Sequence, residues 1–241
     1  MSIAVSQQIS LFQSQIESRR FNEGTIRVLE SFLASNDFKY LDGVVRALKQ
    51  FVRNESLCII QEIAGKSTEH KLLIVDFLVR VFALIGDTES CLALRYEALL
   101  MREQKATNDQ RLLVSYSEWL TFAEHSLENG FCSIAKKACE KALLCFEMNI
   151  VVDPGKDDFV IEKIKKLRDV AVISASSRSE HVTRRGGEGE VNNYQFIIAI
   201  AFLWYISSGA GSRVLQEENN SADLTRILHF CGSQKLRKHS I

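Results

Sequence analysis

Residues 71–148 constrain the fold of this chain most strongly, because they read as four consecutive amphipathic helices in two pairs. The first of these, near 70–85, is apolar on almost every side, and only Asp76 and Arg80 interrupt it. A helix of this kind is normally buried on most sides, so we expect it at the centre of the core. With 46% hydrophobic and 25% charged residues, the composition is typical of a folded globular protein. The pattern predicts an all-α chain.

The same periodicity continues on both sides of this stretch. Apolar residues at helical spacing predict further helices near 2–20, 23–34, 37–52, 57–63 and 154–173, besides those near 88–103, 108–128 and 131–148. Ser56 is the expected start of the short helix before Gly65, and Thr107 with Gln110 is a capping-box signature for the helix at 108. Pro154 is the one proline of the chain and fits the first turn of the last predicted helix.

The two helix pairs of the central stretch resemble each other when Gly86 is aligned with Gly130, an offset of 44 residues. Trp119 in one helix and the small residues Ala135 and Ala142 in the next resemble the tetratricopeptide-repeat pattern, in which small residues let two helices approach closely. The offset is longer than the repeat of about 34 residues in that family. We predict an array of helical hairpins resembling tetratricopeptide repeats, with an irregular helical bundle as the alternative.

The composition changes near residue 174. We predict a helical repeat-like domain over residues 1–173, a flexible Ser/Gly-rich linker over 174–193, and an apolar segment with a weakly ordered basic tail over 194–241. Residues 194–206 carry no charge, but a membrane span needs about 20 apolar residues. We therefore do not expect a membrane anchor here. A docking segment, a core element and a poorly ordered terminus stay open as interpretations of this segment.

Motifs that carry chemistry are missing from the sequence. It contains no C-x2-C or H-x3-H pair, no phosphate-binding G-x4-G-K-[ST] loop and no G-x-S-x-G nucleophile elbow. The N-terminus does not read as a secretory signal, so we expect reduced thiols that are mostly buried. These are Cys58, Cys91, Cys132, Cys139, Cys145 and Cys231. We predict no catalytic residue, no metal, no cofactor and no small-molecule substrate, and hence no enzyme.

A short basic cluster is the candidate nucleic-acid contact. It consists of Lys163, Lys165, Lys166 and Arg168 on the last predicted helix, where Glu162 and Asp169 dilute its charge. The whole chain balances 30 basic against 30 acidic residues, whereas proteins that grip DNA usually show a basic excess. A solvated helix face is the favoured interpretation of this cluster, and direct DNA contact stays open.

Three segments carry a resemblance to a known family: SQQISLFQSQIESRRFNEGTIRVLESFLAS, LIVDFLVRVFALIGDTESCLALRYEALLMRE and SYSEWLTFAEHSLENGFCSIAKKACEKAL. Over about residues 2–148 the chain resembles a plant family of meiotic accessory factors for DNA double-strand break formation. The resemblance implies a nuclear, non-enzymatic scaffold that assembles other meiotic break-forming proteins, while a topoisomerase-like complex makes the break. A chromatin-binding accessory factor, or a helical-repeat adaptor unrelated to meiosis, is the alternative.

Overall fold

Eight α-helices form the regular secondary structure of the residues that the computed structural model describes, which are 3–34, 38–106, 112–148 and 157–182. In chain order they are α1 (Ile3–Glu17), α2 (Glu23–Leu33), α3 (Phe38–Glu62), α4 (Thr68–Leu84), α5 (Thr88–Lys105), α6 (Tyr116–Glu128), α7 (Cys132–Met148) and α8 (Asp157–Val182). The prediction of an all-α chain is confirmed. The likeness to tetratricopeptide repeats stays a prediction.

The chain forms two compact units. Among the described residues, the first unit ends at Glu97 and the second begins at Ala98, both within α5. Our assignment of residues 1–173 to one helical domain stays a prediction. The residues predicted as an apolar segment and basic tail, 194–241, lie outside the described ranges.

Helix α4 supplies much of the core of the first unit. Its buried side chains are Ile74, Val75, Phe77, Leu78, Val81 and Phe82. Helices α2 and α3 pack against it, and the ring of Phe77 lies 5.3 Å from that of Phe21, measured between centroids. The expected burial of this apolar helix is therefore confirmed, although Leu73 in its second turn is exposed.

Helix α3 runs without interruption through Ser56, where we predicted the start of a separate short helix. A serine caps a helix only where the chain before it is extended, because its side chain then reaches backbone N–H groups that lack a partner. Here the preceding turns are already helical, and Val52, Ile59 and Ile60 continue one buried face across Ser56. Burial of that face overrides the local capping signal.

Arg19 ends α1 in a left-handed conformation, with φ 59°. The amide of Arg19 donates to the Ile16 carbonyl and that of Arg20 to the Gln15 carbonyl, the hydrogen-bond pattern that usually places glycine at this position. The Arg19 guanidinium then reaches α3, where it binds Glu62 at 2.6 Å and the buried Glu55 at 2.9 Å. These ion pairs offset the strain of the left-handed backbone at Arg19.

Asp87 joins three parts of the first unit. It follows the turn after α4, and its carboxylate accepts hydrogen bonds from the backbone and the hydroxyl of Ser90 in the first turn of α5. The same carboxylate accepts two hydrogen bonds from Arg53 of α3, at 2.6 and 2.7 Å. Since Asp87 is buried, this bidentate pair compensates for the loss of water around its charge.

Small side chains let the helices of the second unit pack closely. On α7, Ala135, Ala138, Cys139 and Ala142 are all fully buried at helical spacing. Helices α6 and α8 both pack against α7. Trp119 and Phe122 of α6 are also fully buried, and their rings meet in an edge-to-face arrangement. Helix α7 thus contributes small buried residues and α6 large ones, while the packing expected of tetratricopeptide repeats stays a prediction.

Helix α6 begins eight residues later than its predicted start at 108, since its first residue is Tyr116. Ser115 caps it, and the side chain of Glu118 accepts from the Ser115 backbone, which completes a capping box. Arg102 donates to Glu118 at 2.6 Å. The expected capping residues Thr107 and Gln110 lie outside the described ranges. The capping chemistry was predicted correctly but at the wrong position.

The two turns that the sequence alignment superposed have the same geometry. Gly86 and Gly130 both adopt a left-handed conformation, with φ 67° and 82°. At each turn the glycine amide donates to the carbonyl three residues back, and the following amide donates to the carbonyl five residues back. The helix after each turn starts at the second residue after the glycine, Thr88 after Gly86 and Cys132 after Gly130. The 44-residue offset thus relates two helix pairs with equivalent turns.

Helix α8 extends to Val182, nine residues beyond the predicted end at 173. The serine-rich sequence there suggested a linker, but Ser176 donates to the carbonyl of Val172, a bond that a helical serine makes within its own turn. Residues 174–182 are therefore helical, and the position of a flexible linker stays a prediction. Its remainder, 183–193, lies outside the described ranges.

Replacing Arg19 should reveal the cost of its backbone conformation separately from its ion pairs. Arg19→Ala removes the cation and keeps a Cβ in the left-handed region, so we expect the unfolding free energy to fall by roughly 2 kcal/mol. Arg19→Gly removes the same cation but relieves the backbone, and should be about 1 kcal/mol more stable than the alanine variant. Chemical denaturation measures both differences.

The neighbouring Arg20 is exposed and supplies a matched control, because Arg20→Ala should change stability by no more than about 0.5 kcal/mol. Equal stability of the glycine and alanine variants at position 19 would show that the left-handed conformation carries no measurable cost.

The start of α6 should contribute less to stability in acid. Partial burial raises the pKa of Glu118, but hydrogen bonds from Arg102 and Ser115 outweigh it and hold the pKa below its usual value. A lowered folded-state pKa gives stability that is present at neutral pH and is lost as pH falls through that pKa. The stability difference between the wild type and Glu118→Gln should therefore shrink between about pH 5 and pH 3. Denaturant titrations across this range measure it, and a constant difference would contradict the assignment.

Candidate interaction surface

Helix α8 packs one face against the other helices of the second unit and leaves its opposite face exposed. Ile164 and Ala171 are fully buried where α8 packs on α7 and, less extensively, on α6. These two residues lie seven apart, so they mark a single line along the helix. The opposite side of α8 is therefore the surface that this unit leaves open to a ligand or partner.

The four predicted contact residues do not form one basic patch. With roughly 100° of rotation per residue, Lys163 and Lys166 lie on one side of α8, and Lys165 and Arg168 lie on the other. Lys163 is bound to Glu124 of α6 at 2.7 Å, and Arg168 to Asp169 at 3.0 Å. Lys166 lies 3.6 Å from Glu162. Carboxylates thus accompany three of the four cations, which weakens the field that a nucleic acid would meet.

Apolar side chains on the same exposed surface escaped the sequence reasoning. Phe159 is 76% exposed, Val170 is 50% exposed and Ile173 is 67% exposed. Together with Lys166 they lie at positions i, i+7, i+11 and i+14, which is one line along a helix. We call these four residues the outer strip. Their spacing was visible in the sequence. It was missed because another apolar line on the same helix already accounted for the amphipathic pattern, and that line consists of Val160, Ile164, Leu167 and Ala171.

The cysteines behave as small core residues. Cys132, Cys139 and Cys145 are buried on α7, while Cys58 and Cys91 are partly buried, and none of these five described cysteines forms a disulfide. Burial raises the pKa of Cys139 to about 11, so very little of it is thiolate at neutral pH. Such a thiol is a poor nucleophile. Cys231 lies outside the described ranges.

One carboxyl group has a strongly perturbed pKa. Burial raises the pKa of Glu97 in α5 to about 7. A catalytic site needs several groups in defined mutual geometry, and a single carboxyl does not supply that.

Over the described ranges, the structure brings together no group of three or more side chains suited to hold a metal ion. In those same ranges no helix combines the length and the apolar character that crossing a bilayer requires.

Comparison with known proteins finds a clear relative. Protein DOUBLE-STRAND BREAK FORMATION from Arabidopsis thaliana is 42% identical to this chain over 180 residues, and the match covers 73% of this chain and 77% of that protein. Neither a protein-family model nor a solved structure matches the chain.

Proposed function

The chain belongs to the DOUBLE-STRAND BREAK FORMATION family, and we propose on this basis that it is a non-enzymatic accessory protein required for programmed meiotic DNA double-strand breaks. It acts in the nucleus and initiates meiotic recombination by bringing break-forming proteins together. It needs no cofactor and no small-molecule substrate.

The 42% identity over three quarters of both chains carries this proposal. A match of that length spans most of the helical part of the chain, whereas a shared motif would cover only a few residues. Helices joined by short turns present extended surfaces to other proteins, so the fold suits a scaffold. Fold alone does not define function, and the proposal depends on the relative.

Complementation tests the proposal. An Arabidopsis mutant that lacks the relative should regain meiotic breaks when it expresses this chain, because the two proteins share most of their length. Foci of the strand-exchange recombinase on meiotic chromosomes, together with the number of paired chromosomes at metaphase, measure the recovery. The restored foci should disappear when the break-forming catalytic subunit is also removed, which separates break formation from repair.

The Arabidopsis protein itself is the positive control, and an empty transgene is the negative control. A chain that accumulates in meiotic nuclei at the level of the positive control and yet restores no foci contradicts the proposed function.

Direct DNA binding by α8 is a second candidate function. Lys165 and Lys166 are both exposed, and exposed lysines can bind phosphates. If they do, affinity for duplex DNA should fall steeply with salt, with a slope of about −0.9 per phosphate contact. Lys165→Glu and Lys166→Glu should both weaken binding and flatten the slope. Lys137→Glu on α7 makes the same charge change at another exposed site and is the matched control. No binding at low salt, or equal loss in the control, contradicts this candidate.

A further inference from the structure

The outer strip of α8 is the most prominent apolar feature that the described part of the second unit leaves exposed. Its four residues span about 21 Å along the helix at 1.5 Å per residue. Phe159 at one end is 76% exposed, and an aromatic ring left in water on an ordered helix is a typical anchor of a protein interface. The intervals of seven, four and three residues are those with which one helix meets another.

Building on the proposed function, we propose that the outer strip binds an amphipathic helix of another break-forming protein, with a carboxylate of that helix against Lys166. Phe159, Val170 and Ile173 then bury against apolar side chains of the partner. Lys166, in the middle of the strip, selects the partner by charge.

Lys166 can give up its contact with Glu162 in favour of a carboxylate from another protein. Its distance to Glu162 is 3.6 Å, and the two side chains are 74% and 60% exposed, so the pair is weakly held in water. Lys163, one turn away, is bound more closely to Glu124, at 2.7 Å. An incoming carboxylate that is partly shielded from water would attract Lys166 more strongly than Glu162 does.

The charge on Lys166 also argues against a second copy of this chain. An antiparallel pair of α8 helices that brings Phe159 against Ile173 places Lys166 against Lys166. An antiparallel pair that brings Phe159 against Val170 places Lys166 against Lys163, and a parallel pair in register again opposes Lys166 to itself. Like charges at the centre of a symmetric interface are unfavourable, so an acidic partner helix fits the strip better.

Pairwise co-precipitation of the full chain with each of the other proteins that the same plant needs for break formation tests this proposal. The combined change Phe159→Ala and Val170→Ala should lower the affinity for the partner at least about tenfold, because it removes most of the buried apolar surface. Lys166→Glu should lower it by a similar factor. Changing the opposing Asp or Glu of the partner to Lys should restore binding to Lys166→Glu.

Two variants on the same helix are matched controls. Val172→Ala repeats the change made at Val170, but position 172 lies on another face of α8, about 100° around the helix from the nearest strip residue. Lys165→Glu repeats the change made at Lys166 at a position about 100° away. Both should bind like the wild type. Alanine favours helix over valine, so the variants should stay folded, which circular dichroism checks.

Each other occupant gives a distinct result that overturns the proposal. Partners that bind the wild type and all strip variants equally place the interface elsewhere and leave the proposed function intact. If the wild type binds none of the partners, both the proposed interface and the proposed scaffold function are contradicted. A dimer seen by sedimentation and lost in Val170→Ala identifies a second copy as the occupant. Salt-dependent DNA binding that is lost in Lys166→Glu and kept in Lys165→Glu identifies nucleic acid as the occupant of the strip.

Discussion

The backbone groups at helix ends are the constraint on which this structure depends. An α-helix leaves four amides and four carbonyls without partners at its ends, and a chain built of helices with short connections must satisfy them in little space. At Gly86 and Gly130 the backbone does so itself, by turning into a left-handed conformation and closing two hydrogen bonds. At Asp87 and Ser115 a side chain does so for the start of the next helix.

These end groups also connect helices that are distant in sequence. Asp87 caps α5 and at the same time binds Arg53 of α3, and Glu118 closes the capping box of α6 while Arg102 donates to it from α5. Lys49 of α3 donates to the carbonyl of Gly86, which lies beyond the end of α4. A charged group that satisfies a helix end and an ion pair together is held by both, so the ends of the helices fix how the helices pack.

The helical content, the burial of α4 and the two glycine turns could be predicted from the sequence, because they follow from periodicity and from glycine, which act locally. The start of α6 could not. Thr107 with Gln110 and Ser115 with Glu118 offer the same capping chemistry, and Arg102, which donates to Glu118, belongs to another helix. Arg19 was hidden for a similar reason, since nothing local favours arginine in a left-handed turn and the carboxylates that bind it lie 36 and 43 residues away.

The surface of α8 likewise could not be predicted from the local sequence, because the arrangement of its side chains depends on the helix and on neighbouring residues. Four basic residues within six positions suggest a patch when the chain is read as a line. A helix distributes them over two sides, and neighbouring carboxylates accompany three of them. The apolar residues that share the exposed side with Lys166 then become the more selective feature. Phosphate attracts any exposed cation, whereas an apolar strip with one central charge discriminates among partners by shape and by sign. The balance of charges over the whole chain, together with this strip, is the reason that we propose recognition of a protein partner ahead of DNA binding.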